Sequence, residues 1–256
     1  MPLQIVQVVL DAPIDKYFDY RYQPSSDGES MPLAGQFVTV PFGRRTAVGL
    51  VVGISDASDV PPENLKDTGH CYHEIPPLGK AWLDLCRFAA SYYHRALGEV
   101  ALSVLPKMVR QGKQKAISKA LAALKQVQKK DPPVPVDMPE LNAGQQQAVE
   151  TILQAEGFFP VLLYGVTGSG KTEVYLRAVA EKLRQSPDAQ VLLMVPEINL
   201  TPQLEARVRD RFPTENIAVL HSRLSEGLRL RNWLAAVTGT ARIILGTRLS
   251  VMVPAP

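Results

Sequence analysis

Four short stretches near the start of the chain, IVQVVL, FDYRY, QFVTVPF and AVGLVVGIS, are rich in β-branched and aromatic residues, with turn signals at SSDG and FGRR. They predict a small β-rich domain. The spacing then lengthens to three and four residues, with Trp82, Leu85, Cys86, Ala89 and Tyr93 recurring along one stripe, which predicts a helix over roughly 79–93. Its aromatic residues are expected in the core rather than on a base-stacking surface. Ile117, Leu121, Leu124 and Val127 mark a second, amphipathic helix, and DPPVPVDMPE, with four prolines, cannot continue it. That proline-rich stretch reads as a semi-rigid linker. Beyond it, VLLYG, VLLMV, IAVLH and ARIILG alternate with helical patterns that run to about Gln185, from Leu204 to Phe212 and from Leu228 to Val237. Alternation of this kind predicts a parallel sheet covered by helices.

The expected fold class is therefore α/β, with a β-rich domain over 1–112, a basic helix and linker over 113–139, and a parallel-sheet unit over 140–256. The 256 residues, 46% apolar, suffice for two packed cores. No apolar run approaches the roughly 18 residues of a membrane span, and MPLQIVQVVLDAP lacks the basic start of a signal peptide. Cys71 and Cys86 are too few for a disulfide scaffold, so a cytoplasmic setting is the default expectation. The net charge of +3 hides a local excess: Lys107 to Lys130 holds eight basic residues and no acid. Such a run is either a solvated helix face or a surface for phosphate backbone.

One stretch carries specific chemistry. GVTGSGKT at 165–172 fits G-x-x-x-x-G-K-[ST] and stands between an apolar run and a helical pattern, the order that a phosphate-binding loop requires. Gly165, Gly168, Ser169 and Gly170 let the backbone turn tightly around phosphate oxygens at the positive end of a helix. Lys171 reaches the β and γ phosphates and Thr172 offers a hydroxyl to Mg²⁺, which makes ATP and Mg²⁺ the expected cofactors. Three further segments, MVPEINLTPQ, VLHS and LGTR, each follow an apolar run, where open α/β sheets bind their ligands. LNAGQQQAV places a glutamine cluster ahead of the loop.

With these motifs the chain resembles the PriA family of primosomal replication-restart DNA helicases, bacterial members of superfamily 2. The resemblance rests on FDY at Phe18–Tyr20, VPFG at Val40–Gly43, SDAS followed by NLK at Asn64–Lys66, SYYHRALGEV with Pro106 after it, and then GVTGSGKTEVYL, MVPEINLTPQ, VLHS and GTR in order. It implies an ATP-dependent 3′ to 5′ helicase that binds forked DNA and starts primosome assembly. Its N-terminal domain would bind a DNA 3′ end, and its P-loop sheet would be part of a RecA-like lobe. Gln145 would read adenine, and Gly168, Gly170, Lys171 and Thr172 would contact phosphate and Mg²⁺. Thr201, Gln203 and Arg248 would touch DNA backbone, and Phe18, Asp19, Gly43 and Lys66 would hold the 3′-terminal nucleotide. A carboxylate can accept from a 3′-hydroxyl, a lysine can neutralise phosphate and an aromatic ring can stack on a base. Implied partners are DNA forks, single-stranded DNA, primosome proteins and single-stranded DNA-binding protein, in the bacterial nucleoid and without a membrane.

The resemblance also implies features outside these 256 residues. The family's Asp-Glu pair, its second lobe with an arginine finger and its cysteine-rich zinc site are not in this sequence, and Gln111 to Leu141 is too short for its winged-helix domain. The expectation is a shortened chain, without ATPase activity on its own and without a zinc site. A catalytically inactive fork-binding fragment is thus the alternative reading, and a different P-loop enzyme such as a small-molecule kinase is a third. His70, Cys71 and His73 lack a partner pair at zinc-ligand spacing. LSEG at 224–227 lacks the glycine and glutamine of a transporter signature loop.

Overall fold

The computed structural model describes residues 4–24, 30–126, 138–196 and 202–254. Strands β1 (Ile5–Leu10), β2 (Phe18–Arg21), β3 (Phe37–Phe42) and β4 (Arg45–Ser55) form an antiparallel sheet in the order β2-β1-β4-β3. Successive residues of a strand point to opposite faces, and here both faces are buried. Val6, Val8, Leu10, Val38, Val40 and Val51 pack in one cluster with Tyr20 and Tyr22, while Val9, Phe37, Val48 and Leu50 pack in another. This double burial explains why the strands read as near-continuous apolar runs. The sheet edges are drawn together by residues 66–72. Arg21 N–H donates to the Lys66 carbonyl and Thr68 N–H to that of Arg21, and the same segment then runs along β3, where Thr39 N–H donates to His70 and Tyr72 N–H to Phe37. The result is a small closed barrel, which leaves few unpaired strand edges.

Four helices follow: α1 (Lys80–Tyr92), α2 (Leu97–Ser103), α3 (Lys107–Arg110) and α4 (Gln114–Lys125). In α1 the buried face is Trp82, Leu83, Cys86 and Ala90. The expectation that its aromatic residues are core holds for Trp82 alone. Phe88 and Tyr92 lie on the opposite side of the helix, 64% and 66% exposed, with their rings stacked 5.7 Å apart, and Tyr93 sits beyond the last turn in edge contact with Tyr92. Burial pushes the Cys86 thiol up to about 12. The basic α4 buries Ile117, Leu121 and Leu124 against other helices; Val127 lies outside the described residues.

The second half consists of α5 (Ala143–Gln154), α6 (Lys171–Gln185), β5 (Val191–Met194), α7 (Pro202–Arg211), β6 (Ile217–Leu220), α8 (Glu226–Val237), β7 (Ile243–Gly246) and a 3₁₀ turn at Arg248–Met252. The three strands are parallel in the order β5-β7-β6, so β7, the last in sequence, is central. The expected strand at VLLYG is a correction. Residues 160–166 are neither helix nor strand, and Leu162 and Tyr164 are 89% and 92% exposed. A strand is held by the amides of its neighbour, and among the described strands none pairs with this segment.

The two halves share a core. Trp233 and Leu234 of α8 pack in the same apolar cluster as Phe37, Leu50, Trp82, Ile117 and Leu121, and the Phe37 and Trp233 rings lie 6.4 Å apart. Trp82 Nε1 donates to the Met252 carbonyl at 2.8 Å. By contrast, α6 and α7 pack on the sheet through a separate cluster of Leu176, Val179, Leu183, Val208, Phe212 and Ile243.

Candidate nucleotide and nucleic-acid sites

The loop before α6 has the backbone that its glycines predict. Gly168 and Gly170 hold φ of +82° and +80°, the left-handed region that disfavours a side chain, and Gly170 caps the helix. A side chain at Gly170 would also run into the Gln145 amide, 2.3 Å from where its Cβ would stand, whereas a Cβ at Gly168 would meet open space. The loop and the first turn of α6 line a cleft of about 620 Å³ together with Leu176, Arg207 and Arg211. Lys171 Nζ donates to the carbonyls of Gly165 at 2.5 Å and Val166 at 2.8 Å. A cation, a helix N-terminus and a glycine backbone open to the cleft suit a polyphosphate with its divalent metal.

Gln145 reaches this loop by way of a helix cap. Asn142 caps α5, accepting from Gln145 N–H at 2.9 Å, while Gln145 Oε1 accepts from Asn142 N–H at 3.0 Å. The other end of the same amide, Nε2, donates to the Ser169 carbonyl at 3.2 Å and so ties α5 to the loop. Arg207 and Arg211 were not singled out from the sequence. Their spacing of four on α7, one face of a helix, was the available signal. Arg211 forms a half-buried ion pair with Glu173, which Arg177 also approaches at 3.4 Å.

Phe18 and Asp19 are consecutive on β2 and so point to opposite faces, Lys66 lies on the segment bonded to Arg21 of the same strand, and Gly43 follows Phe42, whose ring meets that of Phe18. The Phe18 ring stands edge-on to Phe42 at 5.5 Å, with Lys16 over Phe18 and Arg45 over Phe42. Gly43, at φ +60°, opens the tight turn from β3 to β4 next to Phe42. Asp19 Oδ2 accepts from the Ser58 hydroxyl at 2.5 Å, a contact within the SDAS motif that sequence reading did not pair with it. Lys66 is exposed beside Asp67, whose carboxylate lies 3.5 Å from Arg21.

At the carboxyl ends of the parallel strands, Arg248 opens the 3₁₀ turn after β7 and is exposed, and Gln203 is exposed in the first turn of α7. Thr201 lies outside the described residues. The VLHS segment is pinned from α8: Arg229 donates to the carbonyls of His221 and Ser222, and Asn232 to that of Val219 at 2.7 Å. Cys71 Sγ lies 3.8 Å from His73 Nδ1, and among the described residues no group of three or more His, Cys, Asp or Glu could hold a metal ion. No described helix is long and apolar enough to cross a membrane.

Comparison with known proteins gives two domain matches along the chain. Residues 7–106 match a 3′ DNA-binding domain, and residues 142–253 match a DEAD/DEAH box helicase domain. The chain is similar to the replication restart protein PriA of Haemophilus influenzae, 31% identical over 96% of the chain and 42% of that protein. It is similar to the PriA of Treponema pallidum, 32% identical over 97% of the chain and 36% of the relative, and to that of Synechocystis, 47% identical over 46% and 14%. It spans about two fifths of the length of the two relatives that match it nearly end to end. The Haemophilus alignment runs over 312 positions, so that relative carries residues within the matched span that this chain lacks; the Treponema alignment, over 256, leaves no room for an inserted domain.

Proposed function

The chain belongs to the PriA family of replication restart proteins, and from that premise we propose that it is the fork-binding and nucleotide-binding part of an ATP-dependent 3′ to 5′ DNA helicase. The observation that carries this reading is the shared core, which fixes a 3′ DNA-binding domain against the sheet whose strand ends carry Arg248. Asp19 accepts from the 3′-hydroxyl of a leading strand, Phe18 lies against the terminal base, the turn at Gly43 leaves room for it, and Lys66 neutralises its phosphate. Thr201, Gln203 and Arg248 contact the strand that the helicase lobe grips.

ATP with Mg²⁺ supplies the free energy of phosphate transfer when bound. Lys171, which donates to the Gly165 and Val166 carbonyls, would hold phosphate oxygens, and the amides of residues 168–170 would donate to phosphate. Thr172 would offer its hydroxyl to the metal, and Gln145 would contact adenine by exchanging its bond to the Ser169 carbonyl. The sequence contains no adjacent Asp-Glu pair to orient an attacking water, so residues 1–256 alone bind nucleotide without DNA-stimulated turnover. In the family's setting, the partners are primosome proteins and single-stranded DNA-binding protein, and the location is the bacterial nucleoid. Zinc belongs to the family's later domain.

The test is a comparison of two forks that differ only in ending the leading strand with a 3′-hydroxyl or a 3′-phosphate. The added charge faces the Asp19 carboxylate and removes a hydrogen bond, which should weaken binding by about 1 to 3 kcal/mol. Asp19→Ala should abolish the difference. Equal affinity of the unmodified chain for both ends would remove the 3′-pocket from this account.

A further inference from the structure

Two clefts adjoin along the seam between the N-terminal helices and the parallel sheet. One, of about 560 Å³, lies between the end of α2 with α3 and the carboxyl ends of β6 and β7. The other, of about 600 Å³, lies along α3 and the start of α4. Lys107 and Glu226 line both. Between them the clefts are lined by six cations, Lys107, Arg110, Lys113, Lys115, Arg229 and Arg248, against a single carboxylate, Glu226.

Of these six cations, only Arg110 meets a carboxylate among the described residues. Elsewhere Lys80, Arg87, Arg184 and Arg209 each meet a carboxylate on their own helix. Along the seam, Lys107, Lys113, Lys115 and Arg248 have no ion-pair partner among the described residues. Arg229 is turned inward to the carbonyls of His221 and Ser222, and Arg110 meets Asp11 only at 3.4 Å across solvent-exposed surface. An exposed pair of that kind is worth little and can be exchanged for a phosphate. Leu249 is 77% exposed beside Arg248 in the first cleft, offering an apolar surface for a base. The basic run thus has two sides: Lys107, Lys113 and Lys115 line the clefts, whereas Lys119 and Lys125 of α4 line neither.

We propose that this seam is a phosphate lane for one strand of DNA, running from Arg248 at the end of β7 across Lys107 and Arg110 on α3 to Lys113 and Lys115 at the start of α4. The proposal rests on the reading of Arg248 as a DNA contact and extends it: a strand held by the helicase lobe continues over the N-terminal helices, through contacts that neutralise phosphate and read no sequence. Unpaired cations in a row, at the carboxyl ends of parallel strands where open α/β sheets bind ligands, suit a polyanion that crosses from one half to the other.

Binding of a fluorescein-labelled oligo(dT) strand to the full chain, followed by anisotropy across a salt series, tests the lane. Each phosphate contact to a single strand contributes about 0.7 to the slope of log K against log salt, so Lys107→Ala with Lys113→Ala should lower the slope by about 1.4 and the affinity roughly 20-fold near 0.1 M salt. Lys119→Ala with Lys125→Ala removes the same charge outside the clefts and should leave the slope nearly unchanged. All four lysines are exposed, and an unaltered melting temperature in each variant confirms that the fold is kept. Equal loss in the two variants, or no loss in the first, overturns the lane. So does failure of the unmodified chain to bind oligo(dT), and a retained preference for the 3′-hydroxyl fork would then show that the proposed function stands without it.

Discussion

The segments FVTVPF and VLLY look alike as sequence, each a short apolar run bounded by turn or loop residues, yet they end in opposite environments. In the barrel, Phe37, Val38 and Val40 are fully buried, with β4 beside them and residues 68–72 along the other edge. Ahead of the P-loop, Leu162 and Tyr164 stand in solvent with no strand alongside. An apolar run specifies burial only when a partner supplies both amides and an apolar face. The same contrast separates the two parts of the helicase half: α8 and Ala218 of β6 are joined to the barrel's core, while the P-loop region rests on its own smaller cluster, which includes Ile243 of β7.

Deleting the shared core should have the largest effect. Trp233→Ala removes a side chain buried against Phe37 and should cost about 3 to 5 kcal/mol. Trp82 and Trp233 are the only tryptophans and both lie in the shared core, so fluorescence during urea unfolding of Phe37→Ala follows that core directly. Separate transitions for barrel and α8 in the unmodified chain would break the comparison.

At the nucleotide cleft, Lys171→Ala should weaken binding of a fluorescent ATP analogue by about 1.5 to 3 kcal/mol, the usual worth of a hydrogen bond to a charged group, and leave the melting temperature unchanged. A drop in melting temperature comparable to that of Trp233→Ala would mean that the P-loop region is not energetically separate. The contrast between buried Leu50→Ala and exposed Leu162→Ala sharpens the same point. The first should cost about 2 to 5 kcal/mol and the second less than about 0.5, measured by urea unfolding.

Cysteine chemistry gives a smaller, pH-dependent signal. With the Cys86 thiol held near 12 by burial, the folded state keeps its proton where the unfolded chain loses it. The contribution is complete below the ordinary thiol range, about 8.5, and is lost as pH rises toward about 12. Alkylation of Cys86 on α1 at mildly alkaline pH should therefore follow the opening of the shared core, and rapid labelling of the folded chain would contradict the burial assigned to it.

Most of the fold was legible because local pattern and tertiary partner agree. The four barrel strands, helices α1, α4, α6, α7 and α8 and three of the four parallel strands follow their periodicities, whereas α2, α3 and α5 were not expected from the sequence; Gly168 and Gly170 of the P-loop adopt the backbone that their spacing requires. Legibility failed where a residue's fate depends on something distant. Phe88 and Tyr92 are apolar enough for a core, but the face of α1 that is buried was chosen by Trp82, Cys86 and Ala90. Ser58 reaches Asp19 from 39 residues away, and Arg207 and Arg211 reach the P-loop cleft from another helix, contacts that no local pattern encodes.

Hydrogen exchange read by mass spectrometry tests most directly the claim that the barrel and the strand ends proposed to contact DNA are one folded body. Amides of β6, α8 and β7 should be protected to the same degree as those of β3 and β4, and those of residues 158–166 should exchange at nearly unprotected rates. Protection of the barrel with rapid exchange throughout α8 would contradict it, since the two would then open independently.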